Sequence, residues 1–573
     1  MDALRPRTLA LFTEWTAERY GSQPALRFPA EGGPRTVSHE ELRVRVRRSG
    51  RALLGLGVMP GDRVAVLAQT RPQWTYTHLA ILAAGAVLVP VYPTAGEEEL
   101  AWVLSDSAAV VAVCDDAAQA ARVEALRSEL PALRAVTPMD ELPGLAPGAE
   151  SELLARARAV EPDDDASIVY TSGTTGPPKG CRLTHGNLGA IQDATLPLIR
   201  GGPGDRTYLY LPLAHLLAQL IQFTTLLEGG ELSYFGGRIE DVVTELAEAR
   251  PTHLPSVPRL FEKVHSMVLS VAESLEGGRE RFEEAVRLGV LAAEGRLPEG
   301  SRAAWEAADG SLYAPVRAVF GGRLTWALTG GAPIARATLD FLRACGIHVF
   351  EGYGMTESAG VISLNHPGAV RAGTVGRPVA GCEVRIAGDG EVLARGPMIF
   401  PGYHANEAAT AETVDAAGWL HTGDLGEIDG DGFLSITGRK KELIITSAGK
   451  NITPTEVEFA VQSCRLVSRA VLVGDRRPHP VALITLDAQE VTAWAAREGL
   501  TLTDPSTHPA VRALVAEAVE AANATVSRPA RIRAFHLLAE DFSIEAGTLT
   551  PTLKLRRAAV AERYAQQIGA LYA

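Results

Sequence analysis

The chain has 573 residues, 46% of them hydrophobic, and a formal net charge of −13, so it is too long for one ordinary core and two or more soluble domains are expected. The acidic balance argues against nucleic acid as the main partner and against polybasic tethering to anionic lipid. Five scattered cysteines without a C-x-x-C pair read as reduced thiols of a cytoplasmic protein, and neither a signal-peptide core in residues 1–20 nor an apolar run long enough to span a bilayer is present.

In chain order, residues 8–20 read as a helix, 25–28 as a short strand and 38–56 as a helix, with Ser38 and Glu41 in a capping-box pattern. D-R-V-A-V-L-A is a buried strand, 74–85 an apolar helix, A-V-L-V-P-V a strand, 97–105 a helix and A-A-V-V-A-V-C a strand. This alternation predicts a doubly wound α/β sheet. Residues 118–165, rich in Ala, Glu and Asp, read as surface helices and a linker.

The apolar S-I-V-Y then leads into T-S-G-T-T-G-P-P-K-G, residues 171–180, where Lys179 is the only charge. Gly173 and Gly176 allow tight turns that bring N–H groups up to an anion. Thr171, Ser172, Thr174 and Thr175 carry hydroxyls, and Pro177 and Pro178 stiffen the exit. The run hangs off a strand end, as phosphate loops do, although Gly180 after the lysine excludes a Walker A loop. Lysine is scarce: of six, Lys179, Lys440, Lys441, Lys450 and Lys554 fall in motif segments, and Lys263 reads as an ordinary helix-surface residue.

L-Y-L-P-L-A-H, residues 209–215, reads as a strand ending at Pro212 with His215 just beyond. A helix, H-L-P-S-V-P and another helix fill 243–262, and 263–318 is amphipathic and helical, its charges forming a solvated face. A-L-T-G-G-A-P, 327–333, predicts a strand, a glycine turn and a helix from Ile334. V-F-E-G-Y-G-M-T-E-S follows at 349–358. R-A-G-T-V-G-R-P and G-E-V-L-A-R-G-P-M-I-F-P-G-Y, rich in turns and short strands, suggest a β-subdomain. G-W-L-H-T-G-D places Asp424 after a tight turn, and Lys440 reads as a solvated charge. Beyond it, I-I-T-S-A-G-K-N-I-T-P is a strand and glycine loop, and V-S-R-A-V-L-V-G and V-A-L-I-T-L are strands of a compact α+β domain. L-T-P-T-L-K-L-R-R closes the motif series at 549–557.

As an ordered set these runs resemble the adenylate-forming superfamily of acyl-CoA synthetases, luciferases and peptide-synthetase adenylation domains, over about residues 8–565. The resemblance implies an N-terminal adenylation domain, 1–438, built of two doubly wound α/β subdomains plus a β-subdomain, and a small mobile α+β domain, 439–573, hinged near Lys441. It implies that Thr171–Gly176 and Lys179 cradle the ATP phosphates. Gly330, Gly331, Ala332 and Pro333 would pass close to adenine, where side chains would intrude. Gly352 and Gly354 flank Tyr353, whose ring would stack on the base. Thr356 would hydrogen-bond the α-phosphate, and Glu357, with Thr171, would hold Mg²⁺. Asp424 would accept both ribose hydroxyls and Arg439 would add a ribose or phosphate contact. His215 would line the carboxylate pocket, Gly449 and Lys450 the pantetheine channel, and Lys554 would be the catalytic lysine. Relatives often have Asp at the position of Lys441 and G-K where this chain has L-K; both forms occur in the family.

The chemistry implied is carboxylate activation by attack on the ATP α-phosphate, then transfer of the acyl group to coenzyme A. The long helical segment 263–318 and the L-K pair are similar to bacterial long-chain fatty acid–CoA ligases. A ligase that hands its adenylate to a carrier protein, and a silent acyl- or nucleotide-binding regulator, are the alternatives. The partners implied are ATP, coenzyme A and a fatty acid. Acyl length, a homodimer and peripheral membrane contact are left open.

Overall fold

A computed structural model describes residues 6–171, 177–543, 545–550 and 555–573. The chain is α/β and divides into two compact units. The larger comprises Met1–Arg385, Leu393–Thr422 and Asp429–Leu434, and the smaller Ile386–Val392, Gly423–Ile428 and Ser435–Ala573.

The larger unit holds two sheets. The first runs Ala135–Pro138, Val111–Cys114, Arg63–Leu67, Val87–Val91, Asp165–Thr171 and Lys179–Thr184 in spatial order. Its first five strands are parallel and the last is antiparallel. Val64, Ala65, Val66 and Leu67 are all buried, as expected for a strand covered on both faces. The second sheet has nine strands. Pro24–Phe28, Glu231–Tyr234, Arg206–Leu209, His253–Ser256, Trp326–Thr329 and Val349–Tyr353 form its parallel centre. Antiparallel Arg35–Ser38 closes one edge, and Ser363–Leu364 and Arg377–Pro378 the other.

One apolar core joins the helices of both sheets. Phe12 meets Phe223 edge-on at 5.4 Å, and His78 lies 5.1 Å from Trp74 and 5.2 Å from Phe223. Inside it, the Thr75 hydroxyl donates to Gln222 at 2.6 Å and the Gln222 amide meets His78 Nδ1 at 3.1 Å. Burial lowers the His78 pKa to about 3, so the ring is neutral. Thr70, beyond the C-terminal end of Arg63–Leu67, donates to the Leu211 carbonyl and accepts from Leu213 N–H, both at 2.8 Å. That pair of bonds fixes the loop before His215 against the first sheet. Strand C-terminal ends are where parallel sheets carry ligands.

Several elements differ from expectation. Ala135–Pro138 is a strand within the stretch read as surface helix and linker. Lys179–Thr184 is a strand too, followed by a helix that Thr184 and Asn187 cap reciprocally. The strand before His215 ends at Leu209, not Pro212, and H-L-P-S is itself a strand. The helix after the glycine turn starts at Arg336 rather than Ile334. Arg377–Pro378, expected in a β-subdomain, instead forms an edge of the nine-stranded sheet, next to Ser363–Leu364. The helical segment behaves as read, with exposed ion pairs Arg279–Glu283 and Arg302–Glu306 at 2.9 and 3.0 Å.

In the smaller unit, Val467–Val473 pairs antiparallel with Val481–Leu486, and Phe535–Leu537 adds a parallel edge. Pro454–Gln462 and Pro509–Thr525 pack an apolar face of Val457, Val461, Val511 and Val515 on that sheet. The buried Asn523 amide donates to Ile532 O at 3.0 Å and accepts from its N–H at 2.8 Å. Ile444–Ile445 and Asn451–Ile452 form a hairpin.

Candidate active site

Thr171 ends one strand and pairs in antiparallel register with Lys179, which begins the next. The expected phosphate loop does follow a strand end, and its two flanking strands are antiparallel. Ser172, Gly173, Thr174, Thr175 and Gly176 lie outside the described residues, as does Lys554.

Lys179 leads directly to Glu357 through a residue that sequence reading passed over. Its ammonium sits 5.2 Å from the ring centre of Tyr403, within cation–π range. The Tyr403 hydroxyl donates to Glu357 Oε1 at 2.7 Å. Tyr403 is held by the strand that Lys179 opens: Cys181 bridges it, and His404 N–H donates to Gly180 O at 2.7 Å. Phe400 packs edge-on against the Tyr403 ring at 4.9 Å, and its N–H donates to the Glu357 carbonyl at 2.9 Å. Burial, then the neighbouring Glu357 charge, raises the Tyr403 pKa, so the phenol stays a donor. Glu357 is 7% exposed and lies in the single 3₁₀ turn Thr356–Ser358. Ser358 Oγ fixes that turn, accepting from Met355 N–H at 3.1 Å and donating to Met355 O at 2.9 Å. Thr356 is half-buried beside it.

The glycines around this turn have distinct steric reasons. A Cβ at Gly354 would lie 2.4 Å from Gly360 O and 2.6 Å from Val361 Cα, both backbone. Thr329 pairs with Glu351, which sets Gly330 beside Gly352; a Cβ on Gly330 would stand 3.0 Å from Gly352 O. Gly331 faces open space, and its requirement is backbone, with φ at +78°. Ala332 and Pro333 are exposed, and Tyr353 is half-buried.

His215 is the N-cap of Leu216–Leu227, its Nδ1 accepting from Leu217 N–H at 3.2 Å. The same helix reaches the segment after Glu357, because a Cβ at Gly360 would lie 2.6 Å from Leu220 Cδ1.

In the smaller unit, Asp424 is 4% exposed and receives Arg439 Nε at 2.8 Å. It stands within the strand Leu420–Ile428, after the tight turn Asp415–Gly418, as its sequence setting indicated. Lys440 is not merely solvated: its ammonium contacts Asp389 at 2.5 Å and Glu391 at 3.2 Å. Glu391 also accepts from Gly423 N–H at 2.9 Å, so one alternating-charge network supports the Asp424 strand. Lys441 is exposed in the turn Lys440–Glu442. Gly449, at φ +72°, tips the hairpin, and Lys450 N–H donates to Thr446 Oγ1 at 3.2 Å.

Among the described residues no group of three or more His, Cys, Asp or Glu could hold a metal. A metal caged by protein alone is not built here. Mg²⁺ carried by nucleotide phosphates needs only one or two protein oxygens and keeps its waters. Glu357 fits that role as a buried carboxylate oriented through one oxygen by Tyr403.

The AMP-binding enzyme family matches residues 13–404, and the AMP-binding enzyme C-terminal domain matches residues 441–573. Over 560 residues the chain is 40% identical to Long-chain-fatty-acid–CoA ligase FadD15 of Mycobacterium bovis, spanning 94% of this chain and 92% of that protein. It is 31% identical over 567 residues to Long chain acyl-CoA synthetase 6, peroxisomal, of Arabidopsis thaliana, spanning 91% and 79%. Among solved structures, o-succinylbenzoate CoA synthetase (MenE) from Bacillus subtilis, in complex with the acyl-adenylate intermediate OSB-AMP, superposes with a TM-score of 0.72. It covers 96% of this chain and 97% of that chain at 24% identity, a likeness of fold.

Proposed function

The chain belongs to the AMP-binding enzyme family, and we propose that it ligates a long-chain fatty acid to coenzyme A through an acyl-adenylate. In the first half-reaction a carboxylate oxygen attacks the ATP α-phosphorus, the bond to the β-phosphate oxygen breaks, and pyrophosphate leaves. In the second, the coenzyme A thiol loses its proton and attacks the acyl carbon, and AMP leaves with the carboxyl-derived oxygen.

The barrier to the first step is an anion approaching a polyanion, so catalysis is mainly placement of positive charge and hydrogen-bond donors. Glu357 would hold the nucleotide's Mg²⁺, which supplies charge neutralisation when bound. Lys179 and the hydroxyls of residues 171–175 would cradle the phosphates, Thr356 would bind the α-phosphate, and Tyr353 would stack on adenine. Gly352, Gly331, Ala332 and Pro333 would border the base. Asp424 would take the ribose hydroxyls, with Arg439 holding its carboxylate. His215 would orient the acyl carboxylate. Lys554 would serve the first half-reaction, and Gly449 and Lys450 the second, with Lys441 as the hinge between the two uses of the C-terminal domain.

The observation that carries this reading is the Lys179–Tyr403–Glu357 arrangement: a cation for phosphate and one buried, oriented carboxylate for its metal. The identity to FadD15, a long-chain fatty acid–CoA ligase by name, supports the substrate class. All five cysteines are free, which fits a reducing cytoplasm. No helix among the described residues is long and apolar enough to cross a membrane.

The test is incubation of the purified protein with ATP, Mg²⁺, coenzyme A and free fatty acids of graded length, with products read by mass spectrometry. Long-chain acyl-CoA is the expected product. Acyl-adenylate without thioester would favour a carrier-protein acceptor, and neither product would favour a regulator.

A further inference from the structure

The helix Glu97–Asp106 holds the chain on both sides of the expected phosphate loop. Its buried stripe, Leu100, Val103 and Leu104, packs in one apolar cluster with Ile168 of the strand before the loop. Trp102 and Asp106, one helical turn apart, lie off that stripe. The Tyr170 hydroxyl donates to Asp106 Oδ2 at 2.6 Å, and Tyr170 pairs with Gly180 across the ladder. The Trp102 indole N–H donates to the Pro178 carbonyl at 2.9 Å. Lys179 and Thr171 form the last pair of that ladder, so Pro178 lies one residue outside it. Proline has no N–H to pair, and its carbonyl carbon is bonded directly to the Lys179 nitrogen. The orientation of that one peptide therefore sets how Lys179 enters the strand and carries its ammonium to 5.2 Å from the Tyr403 ring centre.

Trp102 is 40% exposed. A surface tryptophan is ordinarily explained by the apolar area it covers, but the packing of this helix comes from Leu100, Val103 and Leu104. A hydrogen bond open to water adds little net stability. What the bond does fix is the direction of one carbonyl, beside the cation expected to meet phosphate. We infer that Trp102 is a positioning residue for Lys179, acting through the Pro178 carbonyl to hold the ammonium where it meets the ATP phosphates. The inference rests on the reading of Lys179 as the phosphate cation.

The test is a double-mutant cycle between Lys179→Ala and Trp102→Phe, which keeps an aromatic ring and removes the indole N–H. Fatty-acid-dependent pyrophosphate release is followed at varied ATP in the wild type, both single variants and the double variant. Trp102→Phe is expected to lower kcat/KM for ATP about five- to tenfold, the worth of one neutral hydrogen bond. In the Lys179→Ala background the same change is expected to cost less than about twofold. Thioester formation from supplied acyl-adenylate, which needs no triphosphate, should stay within about twofold in Trp102→Phe. Equal fold losses in both backgrounds, which a structural role alone gives, overturn the inference. So does an unchanged kcat/KM in Trp102→Phe, or parallel loss of both half-reactions. If Lys179→Ala itself leaves kcat/KM for ATP intact, the Lys179 reading fails, and the inference with it. ATP binding read by calorimetry carries the same cycle where turnover is too slow to follow. Trp102→Leu also removes the donor and takes the place of Trp102→Phe if that variant does not fold.

Discussion

The hydroxyl of Tyr403 donates to Glu357 Oε1 at 2.7 Å while its ring carries the Lys179 ammonium at 5.2 Å. One side chain thus orients both the carboxylate expected to meet magnesium and the cation expected to meet phosphate. Tyr403→Phe keeps the ring and removes only the hydrogen bond. A hydrogen bond to a charged group contributes about 1.5–3 kcal/mol, so catalytic efficiency should fall about 10- to 100-fold and half-saturation by Mg²⁺ should rise. Titration of pyrophosphate release against Mg²⁺ checks this; an unchanged Mg²⁺ dependence counts against the arrangement.

Lys554→Ala should separate the half-reactions. Loss of one well-placed donor costs roughly 3–4 kcal/mol of barrier, enough to reduce adenylation about 100- to 1,000-fold. Thioester formation from synthetic acyl-adenylate should remain largely intact. Equal loss in both steps would remove Lys554 from the first step alone.

Gly354→Ala tests the turn that presents Glu357. The added methyl would overlap Gly360 O at 2.4 Å, and the obstacle is backbone. Overpacking of this kind costs about 1–3 kcal/mol, and relief requires the Gly360–Val361 backbone to shift. Activity should fall by more than tenfold, with a lower melting temperature. Gly331→Ala, where no atom lies within 4 Å but φ is +78°, should cost about 1–2 kcal/mol through backbone strain alone.

Glu228 gives a pH signature away from the site. Burial raises its pKa from 4.5 to about 7, against the Gly201 N–H that donates to it at 2.8 Å. Below about 4.5 both folded and unfolded chains hold this proton. As pH rises towards 7 the unfolded chain releases it first, so stability falls across that window and levels off above it. Glu228→Gln should remove roughly 2 kcal/mol of that fall. Denaturant melts at about pH 5 and pH 8 check the sign: the variant should gain on the wild type only at the higher pH.

Much of this architecture is legible locally, and the exceptions are physical. V-A-V-L and V-L-V-P-V are unbroken apolar runs, which only doubly covered strands require. Ala135–Pro138 is too short and too polar in its surroundings to stand out. Lys179–Thr184 follows two prolines and mixes charged, small and apolar residues without a strand's alternation, so it reads as loop until its pairing with Asp165–Thr171 is seen. The glycine and acidic motifs around Glu357 are contiguous and visible. Tyr403 lies 46 residues from Glu357, and Trp102 lies 76 from Pro178; no local pattern announces pairs that only the fold creates. Asp424 follows the Asp415–Gly418 turn, as its sequence indicated, but nothing local shows that it sits inside the strand Leu420–Ile428.

The central claim is that this protein activates a fatty carboxylate by joining it to AMP. The most direct measurement is fatty-acid-dependent pyrophosphate release from ATP and Mg²⁺, without coenzyme A, by purified wild type and Glu357→Gln. The account predicts release that requires a long-chain fatty acid and falls at least tenfold in the variant. Absence of release by the wild type with fatty acids of any length would contradict it.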